Sequence, residues 1–526
     1  MATMLPQLDY VFDHLPIKGM VGVIDKDFEF PWLEGMNKLP LYNAETVEAL
    51  IKKEYPSDWT EDQRKLYPLP DWLLRQRKLI SACVQAHNPW SGVSRELRKR
   101  LDRGIPVTNA FCKMYEMCFV DEVKAVLHKH GEKATPMNVA CLAEAPALFP
   151  VAIMYYLGNH FPLMLALDRF QYRCTTLPLD IISEAALPDQ FKLIAANIGK
   201  WHFMDHTSAK DTRGLIEAWG AGSQDMVTGD IGKPTVSWGA AERDMFREEF
   251  GQLISACALL KDKGVAVLKM FSTREYSTAC MLRLAMGIFG KVRVFKPLTS
   301  RPNNIETYWI LSDFKRSLFE PLLDPLLMAL EAAGTVLAEV KEANKEFADL
   351  EPEKLVPHYR GFLDPSEFPD PLSDKICRMH MNQHLRNRAF LRRGLIEYAK
   401  NWNQTGELYT IQVSIMRSIF RMTKPYTDQW MRMFPIERLG AISSHIIGTA
   451  TTSASASASA SASTSASDSA STSASASTST STSASTSAST SASTSNKGIT
   501  GVICPFGDDP ESVYANQIEK DTPSDL

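Results

Sequence analysis

Between residues 137 and 311, short apolar runs alternate with longer amphipathic ones, and this alternation constrains the chain more than any other feature. MNVACLA, LMLALD, KLIAAN, DMVTGD, GVAVLKMF, KVRVFK and ETYWILS read as strands. FPVAIMYYLG, EEFGQLISACALLKDK and STACMLRLAMGIFG lie between several of them and read as helices, because their apolar residues recur three and four apart. Short apolar strands joined by helices bury both faces of a largely parallel sheet. The expected fold is therefore α/β, with a doubly wound sheet and helical additions on either side. Ligands of such sheets sit beyond the carboxyl ends of the strands. Asp168, Asp230 and Lys269 fall at or near such ends in this reading.

The rest of the chain divides around that unit. Residues 1–99 read as an N-terminal extension, irregular and then helical, with LPDWLLRQRKLISACVQAH as one helical stretch. Residues 100–312 form the α/β domain, opened by the helical stretch VTNAFCKMYEMCFVDEVKAVLHKH. Residues 313–447 read as mainly helical, with loops at 351–374. Residues 448–496 are a flexible linker: from 451 to 495 only Ser, Ala and Thr occur, apart from Asp468, and such a segment cannot bury a core. Residues 497–526 are a tail with an apolar patch, GITGVICPF, followed by acidic polar residues. Both a plain tail and a tethered peptide that docks on a protein partner fit that composition.

Composition excludes several classes. Nine cysteines without a CxxC pair give neither a disulfide framework nor a zinc-ligand array, and point to reduced thiols in a cytoplasmic setting. MATMLPQLDYVFDHLP lacks the basic and apolar runs of a secretory signal. The apolar stretch 137–167 carries Glu144, two prolines near its middle and an NHFP break, so no membrane span is expected there. The net charge of −4 gives no whole-chain signal for nucleic acid, although local patches exist. Residues 371–440 hold twelve Lys and Arg against five Asp and Glu, densest at HLRNRAFLRRG with Arg386, Arg388, Arg392 and Arg393. A solvated helix surface and a phosphate-facing surface both fit that cluster, and both fit RELRKR at 95–100.

Four residues carry the candidate chemistry. Lys269 ends the apolar strand GVAVLKMF, where an ammonium is costly to bury unless paired. Partial desolvation is expected to lower its pKa toward the range of a general base. Asp230 follows DMVTG at the end of what reads as the adjacent strand and can pair with Lys269. Glu306 opens the strand ETYWILS, and Lys113 lies among apolar neighbours on the helix FCKMYEMC. Two lysines and two carboxylates in one pocket would satisfy one another and tune one amine. A strand-end cap or a snorkelling lysine is the ordinary alternative for each residue taken singly. No GxGxxG loop, P-loop or GxSxG elbow occurs.

These blocks resemble the FtsJ-like ribose 2′-O-methyltransferases, the viral cap methyltransferase branch in particular, as in large cytoplasmic DNA viruses. That family carries a Lys-Asp-Lys-Glu tetrad on a Rossmann-like, doubly wound, seven-strand methyltransferase sheet. Lys113 in TNAFCKMYE, Asp230 in MVTGDIG, Lys269 in GVAVLKMF and Glu306 in KPLTSRPNNIETYWI match it in order, over roughly residues 100–312. The last block is the most specific. The resemblance implies methyl transfer from S-adenosylmethionine to a ribose 2′-hydroxyl of RNA, probed most naturally with capped mRNA, in host cytoplasm or virion. Lys269 would be the general base or orienting group, Asp230 and Lys113 would tune it, and Glu306 would steady the ribose. No metal is required, and His202 and His206 beside Asp205 lack a third ligand spaced to hold one.

The cofactor loop departs from the pattern. The family's proline, glycine, glycine, phenylalanine run is replaced in Glu144, Ala145, Pro146, Ala147, Leu148 and Phe149. Side chains at 147 and 148, where glycines let the backbone approach the methionine part of the cofactor, are expected to crowd that site. Asp168 and Asp205 are the positional candidates for the cofactor's ribose and adenine. Ser300 and Arg301 precede the tetrad glutamate, and Arg301 is placed to meet a substrate phosphate. The departure leaves a second reading open, a weakly active or inactive scaffold or RNA-binding subunit built on the same fold.

Overall fold

The computed structural model of the protein describes residues 8–18, 90–101, 107–145, 147–178, 197–233, 241–301, 304–343, 359, 361–380, 382–383, 386 and 423–439. All of them lie in the first of two compact units, Met1–Gly448 with Phe506–Leu526, and none in the second, Thr449–Pro505. The expected strand KLIAAN, save its last residue, the helix LPDWLLRQRKLISACVQAH, and the linker and tail fall outside the described residues.

Eight strands form one sheet: β1 (Asp9–Asp13), β2 (Met137–Leu142), β3 (Phe170–Thr176), β4 (Trp201–Phe203), β5 (Gln224–Gly229), β6 (Leu260–Met270), β7 (Phe289–Phe295) and β8 (Thr307–Phe314). Their order is β1-β7-β8-β6-β5-β2-β3-β4. From β4 to β6 the pairs are parallel, whereas β8 runs antiparallel to β6 and β7, and β1 runs antiparallel to β7. The chain leaves β2 toward β3 and β4, then returns to lay β5 on the other side of β2. That reversal is a topological switch point, and it opens a crevice at the carboxyl ends of β2 and β5. The seven-strand doubly wound sheet is present, with β1 as an added edge strand.

Side-chain alternation explains why both faces are covered. Successive strand residues point to opposite sides. Val139, Cys141, Met226, Val265, Val267, Tyr308 and Ile310 enter one apolar cluster. Ala140, Leu142, Val227, Ala266, Leu268, Trp309 and Leu311 enter the other. The first face is roofed by α1 (Val93–Arg100), α2 (Asn109–Met117), α3 (Asp121–Gly131) and α4 (Leu148–His160). The short α5 (Pro162–Ala166) and α6 (Ala209–Trp219) precede α7 (Ala241–Leu259) and α8 (Tyr276–Ile288), and α6, α7 and α8 roof the second face. The short α9 (Arg316–Phe319) leads into α10 (Leu323–Ala343), which packs on α7 through Leu326, Leu327 and Leu330. Burying each such side chain stabilises the fold by about 1.5–3 kcal/mol. The stretch 137–167 is accounted for by buried β2 and α4 followed by α5, while Arg316–Glu342 is one stretch long and apolar enough to cross a membrane by length and composition.

Local chemistry sets the boundaries. Thr108 caps α2 by accepting from the Ala110 amide at 3.2 Å, and Ser208 caps α6 by accepting from Asp211 at 3.1 Å. The strand reading of LMLALD is overturned: Pro162 opens the single helical turn of α5, with Leu163 and Leu167 exposed and Met164 buried. The strand lies just beyond, in FQYRCTT, where Phe170, Tyr172 and Cys174 alternate with polar residues. The helix read into EEFGQLISACALLKDK stops at Leu259, and its last residues open β6.

Candidate active site

The sheet register brings three of the four charged residues together before any helix is considered. Lys269 shares the parity of Val265 and Val267, so it faces α1–α4. Tyr308 pairs with Lys269 across β6 and β8 and faces the same way. Gly229 pairs with Leu268, which sets Asp230, one residue on, beside Lys269. Glu306 immediately precedes β8, whose start lies at that same end of the sheet because β8 is antiparallel. The fourth residue, Lys113, comes down from α2 on the roof above.

The contacts form one chain. The Lys113 amine donates to Glu306 Oε1 at 2.7 Å and to the Tyr308 hydroxyl at 3.4 Å. Tyr308 donates in turn to Asp230 Oδ1 at 2.9 Å. The Lys269 amine lies 3.4 Å from Asp230 Oδ1 and donates to the Asp230 carbonyl at 3.4 Å. Ser300 Oγ donates to Glu306 Oε1 at 3.0 Å. A Cβ on Gly232 would lie 2.8 Å from the Lys269 amine, so the glycine of DIG keeps room for it. Gln252 of α7 accepts from the Ile231 amide and donates to the Lys269 carbonyl, each at 3.1 Å, tying the ends of β5 and β6 to one side chain.

Burial makes these charges consequential. Burial alone would raise the Glu306 carboxyl, but Lys113, Lys269 and Lys296 hold it down at about 2. Burial would lower the Lys269 amine, yet Asp230 and Glu306 outweigh it, and its pKa is raised. The expected downward shift of Lys269 is thereby corrected: two acids close by count for more than desolvation. The lowered lysine is Lys296, which burial pulls to about 7 against the pull of Glu306. Its amine donates to the Asn304 carbonyl at 3.1 Å, to Asn304 Oδ1 at 2.7 Å and to the Glu306 carbonyl at 2.7 Å, closing the loop that leads into β8.

The cofactor-loop candidates separate. Glu144, directly beyond β2, accepts from the Phe149 amide at 2.8 Å through Oε1 and so caps α4. Its Oε2 is buried with no hydrogen-bond partner among the described residues, and burial, with Asp230 adding to it, pushes its pKa up to about 8. Ala147 occupies the left-handed region, φ 82° and ψ 37°, the conformation that glycine takes most readily. The glycine-like bend is thus kept with a methyl group on it. Leu148 and Phe149 turn into the core beneath α2 and α4, and Ala145 is exposed. Pro146 lies outside the described residues.

Asp205 does sit beyond the carboxyl end of β4, but its Oδ1 accepts from Thr207 N and Oγ1, each at 2.8 Å, as a turn cap. Asp168 is misplaced by the sequence reading. It precedes β3, in a left-handed turn with φ 51°, at the amino end of the parallel strands and across the sheet from the crevice. Arg301 is half-exposed at the rim and makes no salt bridge among the described residues. Arg386 is half-buried and near enough to help lower Lys296. Arg388, Arg392 and Arg393 lie outside the described residues. No group of three His, Cys, Asp or Glu able to hold a metal occurs among the described residues. His206 instead bridges Thr175 Oγ1 at 2.7 Å and Ser255 Oγ at 3.3 Å. Tyr308, Lys296 and Gln252 were missed from the sequence. Tyr308 and Lys296 stand in the block KPLTSRPNNIETYWI, so their place beside Glu306 was the available signal.

Residues 128–314 match the family model of FtsJ-like methyltransferases. This stretch is an FtsJ-like methyltransferase domain. Lys113 lies outside it, on the helical addition that precedes it. The chain is 26% identical over 290 residues to cap-specific mRNA (nucleoside-2′-O-)-methyltransferase 2 of Drosophila melanogaster, covering 52% of this chain and 37% of that protein. It is 28% identical over 238 residues to the Mus musculus protein of the same name, covering 42% and 29%. With an uncharacterised protein of Acanthamoeba polyphaga mimivirus it shares 27% identity over 237 residues, covering 43% and 28%. The matched segments thus span about a third of those relatives' own length. Similarity to the solved spermidine synthase of Thermotoga maritima is slight, at 12% identity and a TM-score of 0.24, covering 50% of this chain and 74% of that one. The fold of the FtsJ-like domain therefore rests on its own strand order.

Proposed function

We propose that the FtsJ-like domain transfers a methyl group from S-adenosylmethionine to a ribose 2′-hydroxyl of RNA, at a cap-proximal nucleotide. The convergence of Lys113, Asp230, Lys269 and Glu306 at the carboxyl ends of β5 and β6 and the start of β8 carries this reading. The residues fit the cofactor: Glu144 and Ala147 lie beyond β2 at the switch point, Ala147 keeps the left-handed bend, and a buried Glu144 oxygen has no hydrogen-bond partner among the described residues. Their loop would hold the methionine end, and the cofactor, when bound, supplies an electrophilic methyl on a sulfonium. Asp205, beyond the carboxyl end of β4, would meet the adenine.

The side chains of this chain then do the rest. Lys269 is charged before substrate arrives, so its first task is orientation: it donates to the ribose O2′ and aligns an oxygen lone pair with the methyl. As the new O–C bond forms, the methyl–sulfur bond would break to leave a neutral thioether and the hydroxyl proton would pass to solvent water, while the same amine stabilises the charge developing on O2′. Asp230 holds Lys269 in place, while Lys113 and Glu306 form the partnered pair on the other side of Tyr308. Arg301, at the rim, takes an RNA phosphate.

Incubation of the full chain with radiolabelled S-adenosylmethionine and capped RNA tests this. The expected result is label in RNA with the wild type and none with Lys269→Ala. Calorimetric titration of the cofactor separates the outcomes. Cofactor binding without transfer would sink the reaction, and no binding would favour the scaffold reading that Ala147 and Leu148 raise.

A further inference from the structure

One buried acid beside the tetrad takes no part in it. Glu116 stands three residues after Lys113 on α2, so both project from the same face of that helix. It is 1% exposed. Its Oε2 accepts from the Leu298 amide at 2.6 Å. Its Oε1 accepts from the Thr299 amide at 2.9 Å, from Thr299 Oγ1 at 2.5 Å and from Trp430 Nε1 at 3.0 Å. A carboxylate that receives two successive backbone amides fixes that backbone; an amide in its place keeps one accepting oxygen and loses the other, and truncation loses both. The backbone it fixes is KPLTSR, the same loop whose far end Lys296 closes onto Asn304 and Glu306. Ser300, which donates to Glu306, and Arg301, at the rim, follow directly. Trp430, fully buried, brings residues 423–439 into the clamp, where Pro435 also accepts from the Tyr115 hydroxyl at 2.6 Å.

We propose that Glu116 is a positioning residue for the RNA substrate: through the Leu298 and Thr299 amides it holds Ser300 and Arg301 in register with the tetrad. The inference rests on the methyl-transfer reading above for its kinetic consequence, but the clamp itself is testable without activity. Helix α2 thus supplies two separate functions one turn apart. Lys113 reaches the tetrad, and Glu116 fixes the loop that presents the substrate to it.

The test compares the full chain with Glu116→Gln and with Thr299→Val, which deletes one donor while keeping the side-chain shape. Amide hydrogen exchange of residues 298–301 is measured together with affinity for a fluorescent capped oligoribonucleotide, steady-state methyl transfer and the thermal unfolding midpoint. In Glu116→Gln the carboxamide NH2, a donor, faces the Leu298 N–H while the remaining oxygen serves Thr299 and Trp430, and exchange at Leu298 is expected to rise about tenfold or more. RNA affinity is expected to weaken, and KM for RNA to rise, about tenfold, with KM for the cofactor within about twofold and the fold retained. Thr299→Val, the variant expected to fold in any case, shows the same pattern at smaller amplitude. Unchanged exchange in both variants would overturn the clamp. Faster exchange with unchanged RNA affinity would overturn the positioning role. A wild type that binds RNA but transfers no methyl group would instead refute the proposed reaction, leaving exchange and affinity to decide on Glu116.

Discussion

At the level of single residues, the site is a ladder of charges bridged by one neutral hydroxyl. Tyr308 accepts from Lys113 and donates to Asp230, so it couples the Lys113–Glu306 pair to the Asp230–Lys269 pair. Tyr308→Phe keeps the ring and its packing but leaves Asp230 short of a donor. Methyl transfer is expected to fall about 10- to 100-fold in kcat, with the unfolding midpoint shifted by no more than about 3 °C, as paired stopped-rate and thermal-unfolding measurements would show. Singly, each tetrad residue also fits a strand-end cap or a snorkelling lysine; it was the four blocks in order, TNAFCKMYE, MVTGDIG, GVAVLKMF and KPLTSRPNNIETYWI, that singled them out, and the structure brings the four side chains together. The role of Tyr308 was not legible in the sequence, because it exists only through the β6–β8 register that seats it opposite Lys269. The direction of the Lys269 shift was misread for a related reason. Desolvation and two acids oppose each other, and only distances decide the winner.

At the level of elements, the carboxyl ends of the strands are held by side chains from the helices. His206 joins Thr175 on β3 to Ser255 on α7, and burial lowers its pKa to about 4 from 6.5. The unfolded chain takes up this proton near pH 6.5 and the folded chain only near 4, so unfolding binds a proton between those values. Stability is therefore fully present above pH 6.5 and is lost as pH falls toward 4. Urea unfolding at successive pH values is expected to show a loss of up to about 1.4 kcal/mol per pH unit, and His206→Gln to lack that component. A slope unchanged in the variant would assign the effect elsewhere. Elements were read well where strands are apolar on both faces, as in β2, β5, β6 and β8. The failure came at LMLALD, where an apolar run bounded by Pro162 is as consistent with one helical turn as with a strand. Asp168 was carried to the wrong end of the sheet with it. β3 itself escaped because its alternation of Phe170, Tyr172 and Cys174 with polar residues is a weaker signal than a continuous run.

At the level of the molecule, segments far apart in sequence are tied to the α/β domain by buried polar contacts. Arg283 on α8 donates to the Leu15, Pro16 and Glu367 carbonyls and to Glu367 Oε2, with both charged side chains 2% exposed. Arg283→Met leaves the Glu367 carboxylate buried without its cation. The expected cost is about 3–5 kcal/mol in chemical denaturation, whereas pairing it with Glu367→Leu should return part of that loss. Additive losses would show that the two charges do not act as a pair. None of this was legible beforehand, since neither partner stands out in sequence and their contact spans much of the chain. Mass spectrometry of nucleosides tests whether the tetrad methylates a ribose 2′-hydroxyl of RNA, as proposed. The full chain is incubated with S-adenosylmethionine and a capped RNA, and the RNA is then digested. The expected product is a 2′-O-methylated nucleoside, formed by the wild type and absent with Lys269→Met although that variant still binds the cofactor. A methyl group found only on a base, or 2′-O-methylation at the wild-type rate by Lys269→Met, would contradict it.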